Sequence, residues 1–213
     1  MIHSIKKHLH GYSDLSFFII SDIPVLDVNN YIVDDKSSVK EIQLNKVKQT
    51  LNILKNVKDY DVVYMIDADC IMIKDINLSQ ILPIPNTVLC CEHPWQTFGN
   101  NRWLLEQNPN SSAYLENSDR YFQSCFWGGS FDVVENILKE MDHRIETDRQ
   151  SNLPAKWAEE GYLNKCIFEK EKTILDKTYI FPSNCYVIEK HKYDIKMVHF
   201  NSYSCGDEIS ILE

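Results

Sequence analysis

The chain has 213 residues, of which 44% are hydrophobic and 25% charged, with a formal net charge of -9. This length fits one domain with a substantial buried core, here taken as a single domain over residues 1–213, and no repeat or low-complexity run interrupts it. The acidic balance argues against a nucleic-acid protein, whose footprint is a basic patch, and an acidic protein that handles an anionic nucleotide needs local cationic screening.

The seven cysteines are odd in number and form no CxxC pair, so they read as reduced thiols, not a disulfide framework. No apolar stretch reaches the ~18 residues of a membrane span. The opening MIHSIKKHLHGYS lacks the apolar core of a signal peptide. The expected location is cytoplasmic.

Residues 2–10 read as a short helix. The apolar run Leu15 to Ile20 ends in Ser21-Asp22 and reads as a buried strand. Over residues 38–57, Leu44, Val47, Leu51, Leu54 and Val57 recur at helical spacing. Val62 to Ile66 predicts a second buried strand, with Asp67-Ala68-Asp69 directly after it, and Thr87 to Glu92 a third. Residues 96–120 are polar and read as a long loop over a cleft. Phe126-Trp127-Gly128-Gly129-Ser130 then leads into a helix through about residue 147, with Val134, Ile137, Leu138, Met141 and Ile145 as its apolar face. A further helix is expected over 158–169, and closing strands over 178–181 and 195–200. Strands alternating with helices imply an α/β sandwich with a largely parallel central sheet, which binds ligands at the carboxyl ends of its strands.

Asp67 and Asp69 suit a hard divalent cation, since Mn²⁺ and Mg²⁺ take oxygen ligands; the alternative is a plain polar strand end. Asp59-x-Asp61 has the same spacing but precedes its strand, and reads as a solvated turn. Glu159 and Glu160 follow Trp157 at a helix start, where acidic residues also suit the helix dipole. Gly128-Gly129-Ser130 fits a strand-to-helix turn with Ser130 as N-cap, or a backbone that approaches a ligand closely. His93-Pro94-Trp95 at a strand end suits a sugar, or is an ordinary loop. His199, late on the last strand, is a candidate contact for metal or phosphate, or a core histidine.

Taken in order, the stretches YMIDADCIM, EHPW, PNSSAYL, YFQSCFWGGSFDVV, WAEEGYLNK and TYIF resemble glycosyltransferase family 6, the family of the ABO blood-group transferases and bacterial relatives. WAEEGYLNK and FWGGS are the specific pieces. The resemblance implies a GT-A nucleotide-sugar-binding fold. It implies retaining α-1,3 transfer of galactose or N-acetylgalactosamine from a UDP-sugar to a galactose-containing acceptor, with Mn²⁺ or Mg²⁺ as cofactor. Asp67 and Asp69 then match metal and diphosphate ligands, with His199 a further candidate ligand. Gln123, Ser124 and Cys125 match the segment that reads the donor sugar, and Glu159 a donor-sugar contact. His93 and Trp157 match acceptor-binding positions, and Glu160 the catalytic carboxylate that also borders the acceptor.

Three features depart from the family. Its first strand has no counterpart, since the chain opens in what reads as the next element. Asp67-Ala68-Asp69 stands where many bacterial relatives carry NxN. The final stretch NSYSCGDEISILE is acidic, where the mammalian enzymes have a basic tail. The expected partners are the donor and the glycan acceptor, with no nucleic acid, no membrane span and a homo-oligomer as an open arrangement. The alternatives are another retaining GT-A hexosyltransferase, whose late VHF-type histidine binds manganese, and a non-catalytic sugar-binding remnant.

Overall fold

A computed structural model describes residues 1–33, 37–57, 60–94 and 103–200, with the backbone alone for Val187 and Ile188. Helix α1 (Ile2–His8) runs into β1 (Leu9–His10), then β2 (Phe18–Ser21) and β3 (Asn29–Ile32). Helix α2 (Val39–Leu54) leads to β4 (Val62–Ile66) and the short strands β5 (Cys70–Met72) and β6 (Ile76–Asn77). Strands β7 (Val88–Glu92) and β8 (Phe122–Ser130) precede the long helix α3 (Phe131–Gln150) and α4 (Ala158–Ile167). The chain continues through β9 (Lys172–Leu175), β10 (Phe181–Pro182), α5 (Ser183–Glu189) and β11 (Met197–His199).

The architecture is mixed α/β, with helices flanking sheets of mostly parallel strands, as in GT-A folds. The largest sheet has the order β4-β8-β7-β9. Strands β7 and β9 are parallel, and β8 runs antiparallel to both β4 and β7. Three strands therefore point one way, and β8 alone opposes them. The pairs β1·β6 and β2·β3 are parallel, and β11 joins β10 in parallel and β5 in antiparallel register.

Alternation along β7 divides the core. Val88 and Cys90 pack with the apolar stripes of α2, α3 and α4, while Leu89 and Cys91 face the opposite layer with Cys70, Met72, Cys125 and Met197. On α2 that stripe is Leu44, Val47, Leu51 and Leu54, and Ser38 starts the helix by accepting the Glu41 N–H. Burial of these stripes, more than helix propensity, holds the three helices on the sheet.

Several expectations need correction. Gly128, Gly129 and Ser130 are not a turn but the last residues of β8, paired with Val62 to Tyr64. Glycine is needed at 128 because a Cβ there would lie 2.5 Å from the Val63 carbonyl oxygen; the close approach is to a neighbouring strand. Ser130 does precede α3, but its side chain makes no capping bond. Strand β4 is half-buried, since it lies at the end of the four-stranded order among the described residues. Strand β2 starts later than expected and is half-buried too, because among the described residues it pairs with β3 alone. Residues 177–179 form a 3₁₀ turn, started by the Asp176 side chain accepting the Thr178 N–H, so only the short β10 remains of the expected strand. Helices α1 and α4 end before residues 10 and 169. Strands β3, β5, β6 and β9 and helix α5 carry little periodic signal, being short or polar.

Of the long loop, residues 103–120 are irregular; Trp95, Asp59 and the acidic tail lie outside the described residues. The six described cysteines are all free, five of them buried. No helix among the described residues is long and apolar enough to cross a membrane.

Candidate active site

Strand β4 ends at Ile66, opposite Phe126 of β8. The next residue, Asp67, continues the ladder by donating its N–H to the Cys125 carbonyl at 3.0 Å. The chain then turns sharply, with the Cys70 N–H reaching the Asp67 carbonyl at 3.1 Å, and enters β5. Register places His199 of β11 opposite Cys70, and the Phe200 N–H closes on the Asp69 carbonyl at 2.9 Å. His199 Nε2 thus lies 3.3 Å from Asp69 Oδ2. Asp67, Asp69 and His199 bring one ligand atom each to within 4.8 Å of one another. Asp69 Oδ1 is buried without a protein partner.

A second group of carboxylates comes from the start of α4. Ala158, its first residue, has φ 43, a left-handed backbone that an alanine adopts only under constraint. Asn164 fastens this helix to β8: its side-chain oxygen accepts the Phe122 N–H at 2.9 Å, and its amide donates to the Phe122 carbonyl at 2.8 Å and the Glu160 carbonyl at 2.9 Å. Opposite it, β8 bulges. Cys90 pairs with Trp127, yet Glu92 pairs with Phe122, so residues 123–126 have no matching length on β7, and within this bulge Ser124 reaches α4. The Ser124 N–H there donates to Glu160 Oε2 at 3.0 Å, and the Ser124 hydroxyl lies 3.4 Å from the same oxygen and 3.3 Å from Glu159 Oε1.

Lys46, on α2, links the two groups. Its ammonium donates to Asp67 Oδ1 and to Glu159 Oε1, each at 2.8 Å. Burial alone would lower its pKa, but Glu159 and Asp67 outweigh that and hold it well above the ordinary lysine value. His93, after β7, has Nε2 4.0 Å from Glu160 Oε1; burial, with His199 nearby, brings its pKa down to about 4, so the ring is neutral near pH 7. Burial raises Glu160 to about 7, reinforced by Glu159 and Asp67 and opposed by the Ser124 N–H and Tyr121. His199 is shifted up: burial opposes its charge, but Asp69 and Asp67 prevail. The result is a buried carboxylate poised at its titration point, one ion pair away from a cluster with the donor set of a hard metal.

The sequence pattern of Glycosyltransferase family 6 matches residues 21–208. The chain belongs to this family. Two rat relatives, Histo-blood group ABO system transferase 2 and transferase 1, are each 28% identical over 82 residues, 37% of this chain. The O-antigen biosynthesis glycosyltransferase WbnI of Escherichia coli is 23% identical over 137 residues, 62% of this chain. The matches span 25% and 24% of the rat proteins and 57% of the E. coli protein.

Within this family 6 chain, the site gathers Asp67, Asp69, His199, Ser124, Glu159, Glu160 and His93. Two expected donor-site residues face elsewhere. The Gln123 amide donates to the Glu92 and Ile180 carbonyls at 3.1 and 3.0 Å, and the Cys125 thiol donates to Gln123 Oε1 at 3.3 Å and sits in the core. Trp157 is exposed at the helix start, its ring edge-on to Trp103 with centroids 5.7 Å apart. Sequence reasoning missed Lys46, Trp103, Tyr121 and Asn164. Tyr121 and Asn164 lie inside the stretches that carry the family resemblance, so their signal was present. Lys46 lies outside those stretches, and its two partners are 21 and 113 residues away in sequence.

Proposed function

We propose that this chain is a metal-dependent hexosyltransferase. It moves galactose or N-acetylgalactosamine from a UDP-sugar to a galactose-containing acceptor, with retention and an α-1,3 linkage. The observation that carries the reading is Glu160: a carboxylate on a strained helix start, held by the Ser124 N–H at 3.0 Å, beside the Asp67, Asp69 and His199 cluster. The relatives' printed names, two blood-group transferases and an O-antigen glycosyltransferase, support a glycan acceptor.

A Mn²⁺ or Mg²⁺ ion fits the residues present, because two carboxylates and an imidazole converge and Asp69 Oδ1 is buried with its lone pairs unused. Asp67, Asp69 and His199 would hold it, and it would supply neutralising charge for the departing diphosphate. The protein's own groups do the rest. As the bond from sugar to diphosphate breaks, positive charge grows on the anomeric carbon and ring oxygen. The Glu160 carboxylate stabilises that charge, either as an electrostatic partner or by bonding to the carbon, and both routes yield retention. Lys46 fixes Glu159 against Asp67, so that Glu159 and Ser124 present a set of hydrogen-bonding groups to the donor sugar. Neutral His93, 4.0 Å from Glu160 Oε1, and exposed Trp157 are the residues assigned to acceptor binding in this reading.

The test compares two substitutions. Glu160→Gln should keep the fold and most of the UDP affinity and lower turnover by about two to four powers of ten. Glu159→Gln, which loses its charge towards Lys46, should mainly weaken the hold on the donor. Turnover within a few-fold of the parent for Glu160→Gln would reduce that residue to a helix-start carboxylate and remove this assignment of the site.

A further inference from the structure

Tyr121 is 1% exposed. It packs with Leu104, Leu105 and Leu115 and stands edge-on to His93, ring centroids 5.8 Å apart. Its carbonyl accepts the His93 N–H at 3.0 Å. Apolar packing and this backbone bond therefore hold the ring in place. Its hydroxyl is buried and meets no acceptor in full hydrogen-bond geometry, although the Glu160 carboxylate is the group it interacts with. Its pairing in the resting protein is therefore incomplete, an unfavourable state for a polar group.

Its neighbours are carboxylates: Glu160 beside it, with Glu159 and Glu106 further out. In such surroundings the phenol keeps its proton and acts towards Glu160 as a donor. Glu160 has room for it. Both contacts from Ser124 fall on Oε2, while His93 stands 4.0 Å from Oε1.

We propose that Tyr121 is a positioning residue: its hydroxyl donates to the Glu160 carboxylate in the substrate-loaded site, fixing that group beneath the developing positive charge. This rests on the role given to Glu160 above. The bond is incomplete in the resting protein and is completed during reaction, so its full strength contributes to turnover and not to the fold.

The experiment is a double-mutant cycle of Tyr121→Phe and Glu160→Gln. It is read by turnover of UDP-galactose and UDP-N-acetylgalactosamine with a galactose-terminated oligosaccharide, together with melting temperature. Tyr121→Phe should melt at or above the parent temperature, since phenylalanine fills the same space without the incompletely paired hydroxyl. It should lower kcat about tenfold, as expected for one hydrogen bond to a charged group, and leave the donor KM within about twofold. In the Glu160→Gln background the same change should alter turnover by less than about twofold. An equal fractional loss in both backgrounds, or no loss in the parent, overturns the proposal. So does a Tyr121→Phe protein that melts lower or fails to fold, because the hydroxyl would then be structural. Near-parental turnover of Glu160→Gln overturns instead the reading on which the proposal rests.

Discussion

Glu160 carries a pH dependence that can be measured without substrate. Burial lifts its pKa from 4.5 to about 7, with Glu159 and Asp67 adding to the effect. Between those values the folded protein keeps a proton that the unfolded chain has released, so this group's contribution to stability falls as pH rises through the window. Above about 7 the loss is complete, on the order of 3 kcal/mol for a shift of this size. Glu160→Gln keeps an oxygen for the Ser124 N–H and has no proton to lose. In metal-free buffer its stability relative to the parent should therefore increase between about pH 5 and about pH 8, read as denaturant midpoints. A difference that stays flat across that range would mean that Glu160 is ionised in the folded protein throughout.

At the scale of elements, the pairing of β4 with β8 is what aims Asp67. It depends on Gly128, where a Cβ would meet the Val63 carbonyl oxygen at 2.5 Å and Tyr64 Cδ1 at 2.9 Å. A backbone oxygen cannot swing aside, so Gly128→Ala must push β4 away from β8 and move the strand end that carries Asp67. A loss of about 1–3 kcal/mol is expected, the usual cost of overpacking. Gly129→Ala is the control: its closest obstacle is the Val133 Cγ1 methyl at 3.0 Å, the far end of a side chain. Urea midpoints should fall distinctly further for Gly128→Ala than for Gly129→Ala. Equal midpoints would show that the two strands tolerate separation, and that Asp67 is held by other contacts.

For the molecule as a whole, a net charge of -9 repels a nucleoside diphosphate unless cations intervene. Lys46 is already paired with Asp67 and Glu159, and the proposed divalent ion would supply screening charge at the same carboxylates. UDP should therefore raise the melting temperature when Mn²⁺ is present, by an amount that grows with the logarithm of UDP concentration, and barely at all in chelator. Asp69→Asn, which removes the charge facing His199, should weaken that response. A UDP-induced shift of equal size in chelator would remove the metal from the proposal.

Local sequence pattern was sufficient for the long elements. The stripe from Leu44 to Leu54 and the one from Val134 to Ile145 determine α2 and α3 wherever they pack, because helical periodicity is a local property. The apolar run Val62 to Ile66 likewise marks β4, and the adjoining Asp67 and Asp69 a polar strand end. What no local window contains is pairing. The course of β8 through Gly128 and Gly129 depends on β4 arriving across from it, and its bulge at 123–126 appears only against β7. Through that bulge Ser124 reaches Glu160, while Gln123 and Cys125, adjacent in sequence, are committed to backbone and core. The same holds for charge: Lys46, Asp67 and Glu159 are unremarkable singly, and their shared ion pair exists because α2, β4 and α4 converge. Residue type thus determined which chemistry was available to this chain, and the tertiary structure decided which of those groups meet, since distance and burial set their electrostatics.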